Sequence, residues 1–531
     1  MSTRGGGILG GMTGKLAGLG VHVRAIVDGL DARACRRLAI AVLAVQLAGA
    51  IAAASTHLML HGDGAFYVYS SSVGAPWTLK WSHIPVRFAV YLTTALPSYW
   101  ISRALHLSPL ATADLTGFIL YLVPTLQYAA ACALVWRSAP RYLIYPAAQY
   151  ALSTAMGFGF PSEILLSPGF LWICVFLTAG RHRPGPLFLI SLFGLAFSHE
   201  LAIPSVLVAV FLAVRRLRDE PDAAARGWRL ALLGAGTACL IIAYGLARFT
   251  GGGGDASDHV AIYVFDPRRI LANPEMWLML TIAGASTAVF VGVWRSRLPG
   301  ACWALAAIAA AAVPLVIGLT APSFDFALGR YDSERTVVGV LMVLLSLAFA
   351  LAARGTPEPA PPPRDSRVIP FALTTALAVS AGAGAAFILD WNLALHGLER
   401  VVWASADASA KFVPASRMQA YALPRQAAAL ERMDYFWALP YRSIVLADGR
   451  EPVHIAYGEV SYRAYCAASR RLSALRGDLP ASTRAEMQAF SCAYVPPPHP
   501  AQTREKLRAL IRSISRWLVG QADSGAGSPL R

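Results

Sequence analysis

The sequence predicts an all-α polytopic membrane protein with about 11 transmembrane helices, followed by a small α/β or α+β C-terminal domain outside the membrane. Three observations support this fold class. The chain of 531 residues is 56% hydrophobic and only 14% charged, whereas soluble domains carry about 25% charged residues. Long apolar runs follow one another along the chain. Short clusters of arginine separate these runs, as they do in proteins whose loops set a membrane orientation.

The apolar runs define the predicted membrane domain, residues 38–389. A helix needs about 20 apolar residues to cross roughly 30 Å of hydrocarbon. Three runs are shorter, and re-entrant pairs are the alternative for them: 168–180, 185–198 and 201–214. The runs predict spans near 38–60, 110–136, 141–160, 168–180, 185–198, 201–214, 229–248, 278–294, 301–320, 336–353 and 368–389.

The arginine clusters predict how these spans are oriented. Alternate loops are basic, while the loops around Ser162 and His199 contain no Lys or Arg. The basic side is expected to be cytoplasmic. This places residues 1–37 in the cytoplasm and the C-terminus in the periplasm, for a protein of the bacterial inner membrane. Because the net charge of +16 is spread over these loops and forms no single patch, nucleic acid is not expected as a partner.

Most of the external sequence lies in the loop 61–109 and in the tail. Residues 84–105 mix aromatic and polar side chains, which predicts an amphipathic helix at the membrane surface. Residues 390–520 predict a periplasmic domain, and 521–531 predict a disordered end. Within the tail, 442–448 predict a buried strand that enters a turn at Asp448 and Gly449. Cys466 and Cys492 either form a disulfide in an oxidising compartment or are two unrelated buried thiols.

Asp63 is the leading candidate for chemistry. It lies in His61-Gly62-Asp63-Gly64, directly after the first span, where a charge at the membrane is costly unless it has a role. A carboxylate there can act as a general base or help to hold a cation. The alternative is that Asp63 is a cap or turn residue of the following helix.

Other ionisable residues interrupt apolar stretches at the same predicted membrane face. Glu163 lies between the third and fourth spans, and His199 and Glu200 lie between the fifth and sixth. Each of these positions fits substrate binding, but also helix capping or an ordinary interfacial contact. Arg330, next to Tyr331 and before the tenth span, fits an anion or a salt bridge to a nearby acid. Further candidates are Arg87 and Lys80, which would meet lipid phosphate or anchor the surface helix, and His61.

This arrangement resembles the GT-C superfamily of membrane glycosyltransferases. The residues that carry the resemblance are Asp63 in the first external loop, the surface helix at 84–105, the Arg330-Tyr331 pair before a late helix, and the external tail. The resemblance covers most of the chain. Many relatives carry two acidic residues together in the first loop, whereas the next acid after Asp63 is Asp114.

The resemblance implies an enzyme that takes a sugar from a polyprenyl-phosphate carrier in the membrane lipid. It would transfer that sugar to a glycan, lipid or protein acceptor at the external face. Asp63 would be the base or the metal-binding acid, Arg330 would contact the carrier phosphate, and Glu163 or Glu200 would supply a second carboxylate. The resemblance allows either metal-free catalysis or a divalent cation, Mg²⁺ or Mn²⁺. A polytopic transporter or flippase and a non-enzymatic envelope-assembly protein are the alternatives.

Overall fold

The computed structural model describes most of the first half of the chain and parts of the second. Over the described part the protein is mostly helical, with one two-stranded sheet. The residues it describes are 20–21, 23–72, 74, 76–79, 81, 84–159, 161–179, 183–250, 281, 285, 299–320, 330–353, 366–404, 412–432, 438–450 and 452–457.

The principal elements are numbered here in chain order. The helices are α1 (Ala32–Ser55), α2 (Asp63–Ser72), α3 (Leu96–Ala104), α4 (Pro109–Val135), α5 (Ile144–Gly159), α6 (Ser167–Leu177), α7 (Pro186–Ala196), α8 (Ile203–Arg218), α9 (Ala223–Thr250), α10 (Pro299–Thr320), α11 (Arg330–Ala352), α12 (Val368–Trp403), α13 (Pro424–Arg432) and α14 (Leu439–Leu446). The strands are β1 (Phe412–Pro414) and β2 (Ile455–Tyr457), and short helical turns join several of these elements.

Four of the described helices are long and apolar enough to cross a membrane: α1, α4, α12 and, within α9, Ala223–Ala247. Other predicted spans correspond to apolar helices of 10–17 residues, such as Pro186–Ala196. At 1.5 Å per residue, an 11-residue helix covers only about 16 Å of a hydrocarbon layer of roughly 30 Å. The eleven full spans expected from the sequence are therefore not all present as long helices. The predicted span at 278–294 lies outside the described stretches apart from isolated residues.

The basic loops meet at one end of the helices. Arg36 at the start of α1 donates to the Trp136 carbonyl after α4, with 3.2 Å between nitrogen and oxygen. Arg141 before α5 donates to the Leu30 carbonyl at 2.9 Å. Arg367 before α12 lies 3.4 Å from a carboxylate oxygen of Asp31, the residue whose side chain caps α1.

The loop after α1 and the loops after α5 and α7 meet at the opposite end. The Ala89 amide donates to the Phe197 carbonyl at 3.0 Å, so the middle of the first loop rests on the loop after α7. At the same end Trp391 of α12 donates to the Thr56 carbonyl after α1, at 2.9 Å. The helices thus separate a basic end from an end where the candidate acidic residues lie.

Helix α12 is longer than a membrane crossing needs. Its 36 residues extend about 54 Å at 1.5 Å per residue. It starts beside Arg367 at the basic end and reaches the level of Thr56 at Trp391. The turns of α12 after Trp391 extend further and contact the segment around His454. There the backbone amide of His454 donates to the Val402 carbonyl. The helix runs through residue 390, where the tail was expected to begin, and ends at Trp403.

The predicted strand at 442–448 is wrong, because these residues lie mainly in helix α14. Every residue of α14 is buried, so a continuous apolar run was consistent with either a buried strand or a buried helix. Pro440 in the first turn favours the helix. The predicted turn at Asp448 and Gly449 is confirmed. Asp448 has φ 52° and Gly449 has φ 80°, both in the left-handed region. Strands β1 and β2 pair in parallel, with Val413 opposite Ala456.

The predicted surface helix at 84–105 is a broken series of helical turns from Pro85 to Ala104. Its second part fits a membrane surface, since Trp100 is 63% exposed. Its first part does not, because Val86 and Ala89 are buried against the protein. That buried part carries Arg87 into the interior.

Candidate functional site

A buried arginine shared by two glutamates forms the centre of the candidate site. One terminal nitrogen of Arg87 lies 3.0 Å from Glu163 Oε1, and the other lies 3.2 Å from Glu200 Oε2. Arg87 Nε also donates to the same Glu200 oxygen at 3.2 Å. Arg87 is 3% exposed, Glu163 0% and Glu200 5%. Arg87 is therefore not the lipid-facing anchor that its position in a surface helix suggested.

Three chain segments bring these side chains together. Arg87 ends a short 3-10 turn that begins at Pro85, and this turn is held by the Ala89 hydrogen bond to Phe197. Glu163 and Glu200 each begin a 3-10 turn that leads into the next helix, α6 and α8 respectively. Neither glutamate is the N-cap residue of its turn. The capping interpretation of Glu163 thus gives way to a side chain that is used in an ion pair.

Two hydroxyl groups complete the surroundings of Glu163. Tyr67 of α2 donates its phenolic hydrogen to Glu163 Oε1, and Ser162 donates to Glu163 Oε2 at 3.5 Å. The sequence reasoning missed Tyr67 as a site residue. Its spacing was the available signal, because residues four apart share one face of a helix and Tyr67 follows Asp63 by four.

The cluster is electrostatically coupled. Burial raises the pKa of the Tyr67 phenol, and the charges of Glu163 and Asp63 raise it further, so the phenol stays protonated and can donate. Burial also opposes the charge on Glu200, but the attraction of Arg87 outweighs it and the pKa of Glu200 is lowered. Glu200 therefore remains a carboxylate, and a buried charge of this kind is tolerated because it is paired.

His199 has a structural position next to the cluster. Its ring Nδ1 accepts a hydrogen bond from the Leu201 amide at 3.2 Å, which caps the turn that begins at Glu200. A nitrogen that accepts from an amide carries no proton, so the 3.5 Å approach of Nδ1 to Glu200 Oε2 is a contact between two acceptors. His199 is thus the N-cap residue of the turn that begins at Glu200.

Asp63 differs from the cluster because it is partly exposed. It is the first residue of α2, and its charge acts on both Arg87 and Tyr67. The glycines beside it shape its turn. Gly62 has φ 59°, and a Cβ on Gly64 would lie 2.0 Å from the Met59 carbonyl oxygen. Both glycines are thus required by the chain's own fold.

His61 lies apart from the cluster. Its ring contacts Phe387 and Trp391 of α12 edge-on, with centroid distances of 5.3 Å and 5.1 Å. Arg442 of α14 lies over the Trp391 ring at 5.0 Å and donates through Nε to the Leu60 carbonyl at 2.9 Å. The C-terminal segment thereby holds the turn that presents Asp63, a role the sequence reasoning did not assign to Arg442.

For the remaining candidate residues, the structure describes the backbone alone or nothing. Helix α11 begins at Arg330 and continues through Tyr331, and their side chains lie outside the described part. A Cβ added to Gly339 of α11 would lie 3.5 Å from Leu201, so Gly339 lies beside the residue that follows Glu200. The backbone of Arg330 is nine residues earlier, about 13 Å along the helix. Lys80, Cys466 and Cys492 lie outside the described residues.

The described residues include no group of three or more His, Cys, Asp or Glu side chains that could hold a metal ion. Chemically, the arrangement offers one partly exposed carboxylate beside a closed, charge-paired cluster. No protein-family model, no curated protein and no solved structure matches this chain.

Proposed function

We propose that the protein is a membrane glycosyltransferase of the GT-C type. It would transfer a sugar from a polyprenyl-phosphate carrier to a glycan, lipid or protein acceptor at the external face of the bacterial inner membrane, with about 11 membrane segments in all. The observation that supports this most is Asp63. It is a partly exposed carboxylate in the first loop, beside the buried Arg87 cluster that three loops of one end build together.

The proposed reaction uses Asp63 as the general base. Its carboxylate accepts the proton of the acceptor hydroxyl, and the oxygen then attacks the anomeric carbon of the sugar. The bond between that carbon and the carrier phosphate oxygen breaks, and the electron pair leaves with the phosphate. A positioned base contributes roughly 10²- to 10⁴-fold to such a step.

The buried cluster would position the loops and make no contact with substrate. Arg87 already pairs with Glu163 and Glu200, and all three are closed off from solvent. The carrier phosphate is instead assigned to Arg330, as the resemblance implies, because a guanidinium is suited to bind phosphate with two hydrogen bonds. Tyr331 and Lys80 are proposed to contact the donor as well. No step of the proposed reaction passes through a metal ion.

The test is transfer of labelled sugar from native lipid-linked donors to membrane acceptors, at matched expression. We expect Asp63→Asn to lower transfer at least about 100-fold, because the amide cannot accept the proton. Asp114→Asn is the matched control, since it removes a carboxylate that pairs with His57 near the start of α4. Transfer by a folded Asp63→Asn protein at the wild-type rate would exclude this function.

A further inference from the structure

A groove at the basic end of the helices lies far from the proposed site. It has a volume of about 560 Å³ and runs between α1 and α4, in the range of pockets that hold small ligands. Its floor is closed by Tyr128, which donates to the Ala39 carbonyl at 3.3 Å. The lining is mainly apolar, from Ile40 and Leu43 of α1 and Cys132 and Leu134 of α4.

The basic end of the groove is cationic. Arg137 and Ser138 line it, and both are exposed. Trp136 lines it too, and Arg36 lies over that ring at 5.8 Å. None of the described residues that line the groove is acidic.

Arg36 adds a second positive charge beside the basic end of the groove. One of its terminal nitrogens donates to the Trp136 carbonyl, and its guanidinium lies near the Trp136 ring that lines the groove. A guanidinium binds phosphate with strong, charge-assisted hydrogen bonds. Together Arg36 and Arg137 therefore make this end suited to a negatively charged headgroup.

We propose that this groove binds an anionic glycerophospholipid. One acyl chain would lie against Ile40, Leu43 and Leu134, and the headgroup phosphate would meet Arg36 and Arg137. Both flanking helices are of membrane-spanning length, so the groove opens towards lipid. Clusters of Arg between membrane helices favour anionic headgroups. The site is independent of the proposed transferase function.

The test is native mass spectrometry of the delipidated full-length protein, titrated with phosphatidylglycerol or with phosphatidylcholine of the same acyl chains. We expect one tightly held phosphatidylglycerol and clearly weaker phosphatidylcholine. Each of Arg36→Gln and Arg137→Gln should weaken phosphatidylglycerol binding about fivefold. Leu43→Trp, which fills the groove, should weaken both lipids.

The matched control is the double variant Arg33→Gln/Arg218→Gln, which removes the same charge from exposed positions at the same end. Thermal unfolding of each variant separates loss of the site from loss of the fold. Equal binding of the two lipids would overturn the proposal. Unchanged binding in folded Arg36→Gln/Arg137→Gln would do so as well. The same holds if a bound lipid appears only after residues 2–19 are removed, since the groove would then be covered by the chain itself.

Discussion

Among the described residues, Arg87 is the one cation that pairs with both buried carboxylates, Glu163 and Glu200, at distances of 3.0 Å and 3.2 Å. Replacing it by glutamine would leave both charges buried without a cation. Removal of one partner from a buried ion pair typically costs about 3–5 kcal/mol. We therefore expect Arg87→Gln to lower the free energy of unfolding by an amount in that range, measured by thermal or denaturant unfolding in detergent.

A triple variant and a surface variant test the cause of this loss of stability. Glu163→Gln/Glu200→Gln in the Arg87→Gln background should recover part of the stability, since no charge then remains unpaired. Arg103→Gln removes an exposed arginine from the same segment between α2 and α4 and should change stability by less than about 0.5 kcal/mol. Equal effects of Arg87→Gln and Arg103→Gln would contradict the ion-pair account.

His57 and Asp114 form a second ion pair of this end, with 2.5 Å between His57 Nδ1 and the carboxylate. The hydrogen bond to Asp114 raises the pKa of His57, burial opposes it, and the charges of Asp114, Glu399 and Asp448 add to the increase. Because the folded pKa lies above the unfolded value of about 6.5, the protonated pair stabilises the fold fully below that value. The stabilisation is lost as pH rises through the folded pKa.

The corresponding prediction concerns the pH profile of stability. The unfolding temperature of the wild-type protein should fall as the pH rises above about 6.5, more steeply than that of Asp114→Asn. The comparison isolates this pair, since the variant keeps His57 but removes the negative charge of its partner. Parallel profiles for the two proteins would show that the pair does not contribute.

At the scale of elements, the turn before α2 determines where Asp63 lies. Gly64 has no room for a side chain, because a Cβ would meet the Met59 carbonyl oxygen at 2.0 Å, and backbone cannot move aside cheaply. We expect Gly64→Ala to destabilise the protein severely or to abolish recovery of folded protein. Gly382→Ala in α12 is the matched control, since a Cβ there meets nothing within 4 Å. It should be neutral or slightly stabilising.

Folded yield and thermal unfolding of the two alanine variants measure this difference. Similar behaviour of Gly64→Ala and Gly382→Ala would mean that the turn is not as close-packed as described. The result also bears on function, because the turn presents the proposed base.

Much of the element pattern could be predicted from the sequence, because apolar length and arginine position are strong local signals. The predicted run 110–136 lies almost entirely within α4, Pro109–Val135. Helix α14 was mistaken for a strand because a fully buried run has no period to distinguish the two. The partnership of Arg87 with Glu163 and Glu200 could not be predicted, since it joins residues 76 and 113 positions apart through tertiary packing.

At the scale of the whole molecule, the two ends differ in charge. Arg36, Arg141 and Arg367 make contacts at one end, and the Arg87 cluster lies at the other. If the basic end is cytoplasmic, as the distribution of arginine predicts, labelling from outside should discriminate between them. In a cysteine-free background, Leu105→Cys should react with a membrane-impermeant maleimide in intact cells. Arg137→Cys should react only after permeabilisation.

Both positions are exposed, so accessibility to reagent depends on the side of the membrane. Labelling of Arg137→Cys in intact cells, with Leu105→Cys protected, would reverse the orientation and place Asp63 in the cytoplasm. Such a result would remove the external acceptor from the proposed function.

The most direct test of the central claim is release of polyprenyl phosphate by the purified protein in liposomes that contain a polyprenyl-phosphate sugar and an acceptor. The account predicts that wild type releases the carrier and joins the sugar to the acceptor, while folded Asp63→Asn does neither at a measurable rate. Intact movement of the sugar lipid across the bilayer, without cleavage and unaffected by Asp63→Asn, would contradict it.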